Sequence, residues 1–383
     1  MAKPIGPICN LNCDYCYYKG KIELFNSSNK YDYLMSDDLL EEYIKQYIEA
    51  HPGPIISFGW QGGEPTLLGV GFFQKVIELQ KKYLPKGIHC ENLLQTNGTL
   101  LNSKWCHFLR ENEFLVGISI DGPSEYHDKY RKNKEGKASF NKTLKGLKLL
   151  QENEVNFNVL CVLSDANIHY PLEVYNFFKS VGAKHIQFIP LVNSLRDVKR
   201  TAKSIDAKDY GNFLISIFNE WVIKDVGETF IQIFEEALFA WFGLEVSLCM
   251  FKKICGNSLV IEHNGDIYSC DHFVTKENKI GNIKKNHLKE IINSPKQKIF
   301  GQKKLETLPK MCMSCPVRFV CNGGCLKNRI VPTNEDGHYL NYLCSGYKQF
   351  FLYIDPFMKK MVELMKQKKS LNIIKDGMKL LMN

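Results

Sequence analysis

Eleven of the fourteen cysteines in this chain fall into two groups, and no packing argument explains thiols crowded so closely. The first group is Cys9-x3-Cys13-x2-Cys16. The second comprises Cys249, Cys255, Cys270, Cys312, Cys315, Cys321, Cys325 and Cys344, with Cys312-x2-Cys315-x5-Cys321-x3-Cys325 at its centre. Closely spaced thiolates are soft ligands, which select iron–sulfur clusters, zinc or copper(I). A cubane cluster has four irons, so a group of three cysteines leaves one iron with an open position. An open position is where a metal site does chemistry. Between 246 and 346 the chain is rich in Gly, Asn and Cys and poor in apolar periodicity. Such a segment is expected to be held together by its metals.

At 383 residues the chain exceeds the usual size of one hydrophobic core, so a large domain and a smaller one are expected. The composition, 44% hydrophobic and 24% charged, is that of a globular protein. No run of 18 apolar residues suggests a membrane span. The start, MAKPIGPICNLNC, lacks the apolar core of a secretory signal. A cytoplasmic location follows as an expectation, and there thiols stay reduced and serve as metal ligands rather than disulfides. The formal charge of +9 omits any bound clusters. Two fully ligated cubanes at about −2 and one three-cysteine cubane at about −1 would leave about +4, so charge gives a nucleic-acid role little support.

Residues 1–200 alternate strand-like and helix-like segments. Apolar, β-branched runs occur at Ile55–Trp60, Asn92–Thr96, Phe114–Ile120, Val155–Leu163 and His185–Leu191. Helical patterns lie between them. In Met35–Ala50 the apolar Leu39, Leu40, Tyr43, Ile44, Tyr47 and Ile48 recur at helical spacing behind Ser36, a candidate N-cap. With Pro4–Pro7 as a short first strand, six β-then-α units are predicted. They imply an α/β fold, a parallel sheet curved into a partial barrel with its working residues at the C-terminal strand ends. The Cys9–Cys16 loop, Gln61-Gly62-Gly63-Glu64-Pro65, Gln95-Thr96-Asn97-Gly98 and Ser119-Ile120-Asp121-Gly122-Pro123 each fall at such an end. Residues 201–245 read as a helical bridge, 246–348 as a cysteine-rich domain, and 349–383 as a basic amphipathic helix packed on the surface. Cys90, Cys106 and Cys161 sit in helix or strand patterns and read as buried apolar thiols.

These residues carry a resemblance. The Cys9–Cys16 loop with Tyr15 before its last cysteine, joined by Gly62-Gly63-Glu64-Pro65, resembles radical S-adenosylmethionine (SAM) enzymes. The series Cys255-x9-Gly265-x4-Cys270, Cys312 to Cys325 and Cys344 is similar to their SPASM extension, with Cys249 as an eighth thiol. Within that group the chain resembles anaerobic sulfatase-maturating enzymes. The carriers are Cys9 to Tyr18, Gln61 to Thr66, Leu94 to Leu100, Phe114 to Pro123 and Tyr268-Ser269-Cys270-Asp271.

The resemblance implies three [4Fe–4S] clusters and bound SAM. Cys9, Cys13 and Cys16 would hold the SAM-cleaving cluster; Cys249, Cys255, Cys270 and Cys325 one auxiliary cluster; Cys312, Cys315, Cys321 and Cys344 the other. It implies SAM contacts at Tyr15, Gly62, Gly63, Glu64, Ser119, Arg131 and Val192, and a substrate contact at Tyr18. It implies that a 5′-deoxyadenosyl radical takes a hydrogen from the β-carbon of one cysteine or serine of an unfolded sulfatase, giving Cα-formylglycine. Asp271, next to Cys270, would be the base that removes the side-chain proton, with a raised pKa. An external one-electron donor of the flavodoxin or ferredoxin kind is implied as a partner, with neither nucleic acid nor membrane. Relatives carry a longer lead-in before their first cysteine than the eight residues here, which leaves the first strand in question. Two other readings compete: another SPASM peptide maturase, such as a thioether-forming enzyme, for whose leader-binding module the chain has no room, and a non-enzymatic zinc protein.

Overall fold

The computed structural model describes residues 1–25, 30–51, 53–193, 202–334 and 337–382. The expected boundary at 200/201 lies outside them. The strands are β1 (Ala2–Lys3), β2 (Ile55–Trp60), β3 (His89–Thr96), β4 (Leu115–Ser119), β5 (Phe157–Leu163), β6 (His185–Pro190), β7 (Phe230–Ile231), β8 (Val260–Glu262), β9 (Asp266–Tyr268), β10 (Lys279–Asn282), β11 (Arg329–Pro332) and β12 (Tyr339–Asn341). Two compact units divide the chain.

The first unit is Met1–Ile120, Asp128–Asn158 and Gly256–Gly301. Its strands β1 to β4 run parallel, with Ala2 opposite Trp60, Ile55 opposite His89 and Leu93 opposite Leu115. The helix Asp37–Ala50 forms where the apolar stripe requires it. Ser36 caps it by accepting from the Leu39 amide, and Leu39, Leu40, Tyr43, Ile44 and Ile48 are buried. Their partners are the alternate residues Phe58 and Trp60 of β2, stacked at 6.0 Å, with Tyr43 edge-on to both.

The first strand departs from expectation. It is Ala2–Lys3, and Pro4–Pro7 is a turn. Two prolines lack the amide a central strand must donate, and Gly6 sits at φ +51°. The amide of Gly6 instead closes on the Lys3 carbonyl. The other side of β1 is taken by β8, parallel, with Lys3 opposite Glu262. Strand β8 turns at Asn264-Gly265 into β9, and β9 pairs antiparallel with β10. Gly265, at φ +84°, supplies the left-handed residue this hairpin needs. The segment after 256 thus has more regular structure than its composition suggested, and it delivers Cys270 and Asp271 just past β9.

The second unit is Asp121–His127, Val159–Cys255 and the chain from Gln302. Here β5, β6 and β7 are parallel neighbours, and β11 and β12 form an antiparallel pair. Helix Ala207–Lys224, capped by Asp206, lies against helix Cys344–Lys366. Phe218, Phe234 and Phe350 interlock between them and Gln232–Phe242. A second terminal helix, Leu371–Met382, follows. Cys106 and Cys161 are buried, as expected, while Cys90 is half-buried. No helix among the described residues is long and apolar enough to cross a membrane.

The two long helices of this unit touch backbone to backbone. A Cβ on Gly346 would lie 1.9 Å from the Ala207 carbonyl oxygen. Gly346→Ala is expected to force them apart at a cost of about 1–3 kcal/mol, read as a lower thermal midpoint. An unchanged midpoint would contradict this packing.

Candidate active site

In the first unit the loop Cys9–Cys16 is stitched down on two sides. Along one side it pairs with Tyr130–Asn133. The amide of Asn12 donates to the Lys132 carbonyl (2.7 Å), that of Asp14 to the Tyr130 carbonyl (3.2 Å), and Leu11 bridges Asn133. Tyr15 is buried there, edge-on to Tyr130 at 6.1 Å, with the Arg131 guanidinium 5.4 Å from its ring. On the other side Asn10 is held by the end of β3. Asn97 Nδ2 donates to Asn10 Oδ1 (2.8 Å), and Asn10 Nδ2 donates to Thr99 Oγ1 (2.8 Å).

The glycine pair has a packing role that sequence did not reveal. The amides of Gly63 and Glu64 donate to the carbonyls of Gly6 and Ile8, at 2.8 and 2.9 Å. A Cβ on Gly63 would sit 1.9 Å from the Ile8 oxygen, so only glycine lets the β2 end lie against the backbone leading into Cys9. Glu64 is buried, and its carboxylate accepts from the Thr66 amide and hydroxyl, the Thr96 hydroxyl and the Asn97 amide. Burial raises its pKa, and these bonds oppose the rise. Glu64 therefore holds Asn97, which in turn holds Asn10. Ser119 is buried at the end of β4.

The loop suits a cluster. Cys9 Sγ accepts from the Leu11 amide (3.3 Å) and from Asn97 Nδ2 (3.8 Å), bonds that favour a thiolate or cluster-bound sulfur. Burial, with Glu64 nearby, pushes the free Cys9 thiol up to about 11, so the anion needs a metal's positive charge.

Asp271 lies in the same unit. Lys3 Nζ, fully buried, forms an ion pair with Asp271 Oδ1 at 2.5 Å and donates to Gln61 Oε1 at 3.1 Å. The hydroxyl of Tyr17 donates to Asp271 Oδ2 at 2.5 Å. The expected raised pKa is not found. Burial works upward, but Lys3 first, then His272 and the hydrogen bonds from Lys3 and Tyr17, hold the carboxyl below its usual range. Asp271 is thus ionised and able to accept a proton. Neither Lys3 nor Tyr17 was among the candidates. Tyr18, the tyrosine expected at the substrate, is 2% exposed, and its hydroxyl donates to buried Glu262 at 2.5 Å. Lys3 Nζ lies 4.1 Å from its ring.

The second unit holds the remaining cysteines. Cys312, Cys315, Cys321 and Cys344 line one cavity together with Arg318, Gly323, Asn341 and Lys348. Burial and the three neighbouring thiols push Cys321 up to about 12. Cys249, Cys255 and Cys325 gather instead about Lys304, whose pKa is lowered to about 8 by burial and partly restored by those sulfurs. Cys270 belongs to the first unit. Among the described residues no three His, Cys, Asp or Glu side chains close as tightly as one metal ion needs. Val192 is buried in the second unit, its carbonyl accepting from Lys327 at 3.2 Å.

Comparison with known proteins places the chain in a family. The Radical SAM superfamily profile matches residues 4–178, and the SPASM profile, an iron–sulfur cluster-binding domain, matches residues 249–316. A serine-type anaerobic sulfatase-maturating enzyme of Bacteroides thetaiotaomicron is 46% identical over 98% of this chain and 94% of its own length. A cysteine-type enzyme of Clostridium perfringens is 36% identical, covering 93% of this chain and 96% of its own. A solved structure, native anSMEcpe with bound AdoMet (that is, SAM) and Cp18Cys peptide, superposes with a TM-score of 0.86 at 34% identity, over 95% of this chain and 98% of that one. The α/β fold with a radical SAM-type parallel sheet and a SPASM domain is as expected. By sequence, fold and site, the chain belongs to the anaerobic sulfatase-maturating enzymes of the radical SAM superfamily.

Proposed function

We propose that this chain oxidises the β-carbon of one serine or cysteine in a sulfatase polypeptide to the aldehyde of Cα-formylglycine. The observation that carries the chemistry is the contact between two loops. Asp271, directly after Cys270, accepts from Tyr17, directly after Cys16, although 254 positions separate them. The base thus stands beside a ligand of the SAM-cleaving cluster and next to a ligand of an auxiliary one.

Cys9, Cys13 and Cys16 would hold the first cluster, and SAM would bind beside it. Bound there, cluster and SAM supply the 5′-deoxyadenosyl radical that takes hydrogen from the substrate β-carbon. The protein contributes position and a proton acceptor. Tyr15 and Arg131 line the loop, with Arg131 offering its cation to the SAM carboxylate and Ser119 its hydroxyl to the ribose. The Gly63 amide is already engaged by the Gly6 carbonyl, and Gly62 and Gly63 would let the backbone approach SAM; Glu64 fixes Asn97. Val192 is assigned to the adenine by family likeness alone. Asp271 takes the hydroxyl or thiol proton of the substrate, and Lys3 and Tyr17 hold its two oxygens in place. Cys249, Cys255, Cys270 and Cys325 would hold one auxiliary cluster and Cys312, Cys315, Cys321 and Cys344 another, three cubanes in all on this reading, and the auxiliary pair would supply an acceptor for the electron left on carbon. An external flavodoxin- or ferredoxin-like protein delivers electrons, in the cytoplasm. The Tyr18 hydroxyl donates to Glu262 and that of Tyr17 to Asp271, so either tyrosine would meet the substrate through its ring.

The reaction is tested by incubating reconstituted protein with SAM, dithionite and two peptides, one with a Cys-x-Pro-x-Arg motif and one with Ser-x-Ala-x-Arg. Aldehyde in either, seen by mass and by hydrazine capture, supports the assignment; SAM cleavage with both peptides left intact overturns it. Asp271→Asn is expected to keep 5′-deoxyadenosine formation, which also reports an intact fold, while aldehyde falls about 100-fold or more. Aldehyde at the wild-type rate would remove Asp271 from the base role. Cys13→Ala is expected to abolish 5′-deoxyadenosine formation, and its persistence would displace the first cluster from that loop.

A further inference from the structure

Two cations are buried in the second unit without a carboxylate to match them. Lys304 is 1% exposed and Arg329 is 8% exposed. Lys304 Nζ donates to the carbonyls of Cys249 and Met250, each at 2.8 Å, and to that of Lys252. Arg329 donates from Nε to the Gly323 carbonyl (3.2 Å), from Nη2 to the Asn322 carbonyl (3.1 Å), and from Nη1 to the Lys304 carbonyl (2.7 Å) and the Thr307 hydroxyl (3.3 Å). Every one of these acceptors is neutral, and neither residue forms an ion pair among the described residues.

A buried full charge met only by dipoles is costly, and proteins retain one where an anion faces it. The groups here that can become anionic are the cysteines. Lys304 grips the backbone at Cys249. Arg329 grips the turn Asn322-Gly323, which joins Cys321 to Cys325, ligands assigned above to different auxiliary clusters. Gly323, at φ +73°, is required by the same contact: a Cβ there would lie 2.7 Å from Arg329 Nη2. Gly323 within Cys321-x3-Cys325 thus leaves room for Arg329 as well as for Leu308, whose Cδ2 would lie 2.5 Å from the same Cβ.

We propose that Lys304 and Arg329 are the counter-cations of the two auxiliary clusters and that their charge sets how readily those clusters accept an electron. Lys304 serves the cluster of Cys249, Cys255, Cys270 and Cys325; Arg329, at the junction of the two ligand sets, serves both. The inference rests on the three-cluster reading. The step involved is the gain of one electron by an oxidised cubane, with no bond made or broken. A cubane ligated by four thiolates becomes more negative on reduction, so a fixed cation held dry beside it favours the reduced form. Neither side chain needs to touch substrate or SAM for this, so both act as positioning and tuning residues.

The test is an anaerobic redox titration of the reconstituted full chain with dithionite and mediators, followed by electron paramagnetic resonance, with iron and sulfide assayed in each sample. Lys304→Met is expected to lower the equilibrium constant for reduction of one auxiliary cluster about tenfold or more, a shift of about 59 mV for a one-electron couple. Lys304→Arg, which keeps the charge, is expected to stay near wild type. Arg329→Met is expected to shift both auxiliary clusters, and Arg329→Lys to restore most of the loss. Wild-type potentials in both methionine variants, with iron fully retained, would overturn the proposal. So would equal loss of iron in Lys304→Met and Lys304→Arg, which would make the residue a matter of shape. A wild-type protein that binds only about four irons would instead sink the three-cluster reading on which the proposal stands.

Discussion

The buried ion pair between Lys3 and Asp271 joins the two ends of the first unit, and the reading of the site depends on it. Lys3 reaches that position because β1 is clasped between β2 and β8. Asp271 reaches it because β9 folds back from β8 and ends two residues before Cys270. Removing one partner of such a pair leaves a dry, uncompensated charge, at a cost of about 3–5 kcal/mol. The same contact holds the carboxylate ionised in surroundings that would otherwise protonate it. In the proposed mechanism stability and proton acceptance share this one interaction, and Tyr17 ties it to the loop that begins at Cys9.

The cysteines follow a related logic of charge. Burial drives free thiols such as Cys9, Cys255 and Cys344 up to about 11 and Cys321 up to about 12. Without metal these sites favour neutral thiols; with metal they become thiolates, and the metal's charge covers the cost. In the first unit the loop is prearranged by backbone pairing with Tyr130–Asn133 and by the Asn10–Asn97–Thr99 bonds. In the second the ligand loops are gathered by Lys304 and Arg329. Each cysteine group is therefore organised by hydrogen bonds from neighbouring backbone and side chains.

Much of this was legible in the chain. The helix Asp37–Ala50 and strand β2 announce themselves because one face of each is apolar at the right period. The cysteine groups announce themselves because spacing and softness narrow the chemistry. What stayed hidden depends on long-range pairing. Nothing near Lys3 marks it as a partner of Asp271, since the contact exists only through the β1–β8 register. The turn at Asn264-Gly265 is a hairpin signal that would have revealed β8 and β9. The short first strand was misplaced because Pro4 and Pro7 frame an apolar run that a turn, not a sheet, can accept. The close approach of Gly63 to the Ile8 carbonyl was not legible, because it joins two segments far apart in sequence.

The central claim is that a hydrogen atom leaves the substrate β-carbon for the 5′-deoxyadenosyl radical while Asp271 takes the side-chain proton. It is tested most directly with a peptide deuterated at the β-carbon of its target serine or cysteine, incubated anaerobically with reconstituted protein, SAM and reductant. The account requires 5′-deoxyadenosine that carries deuterium, formed together with peptide aldehyde. 5′-Deoxyadenosine that stays free of deuterium while aldehyde accumulates would contradict it.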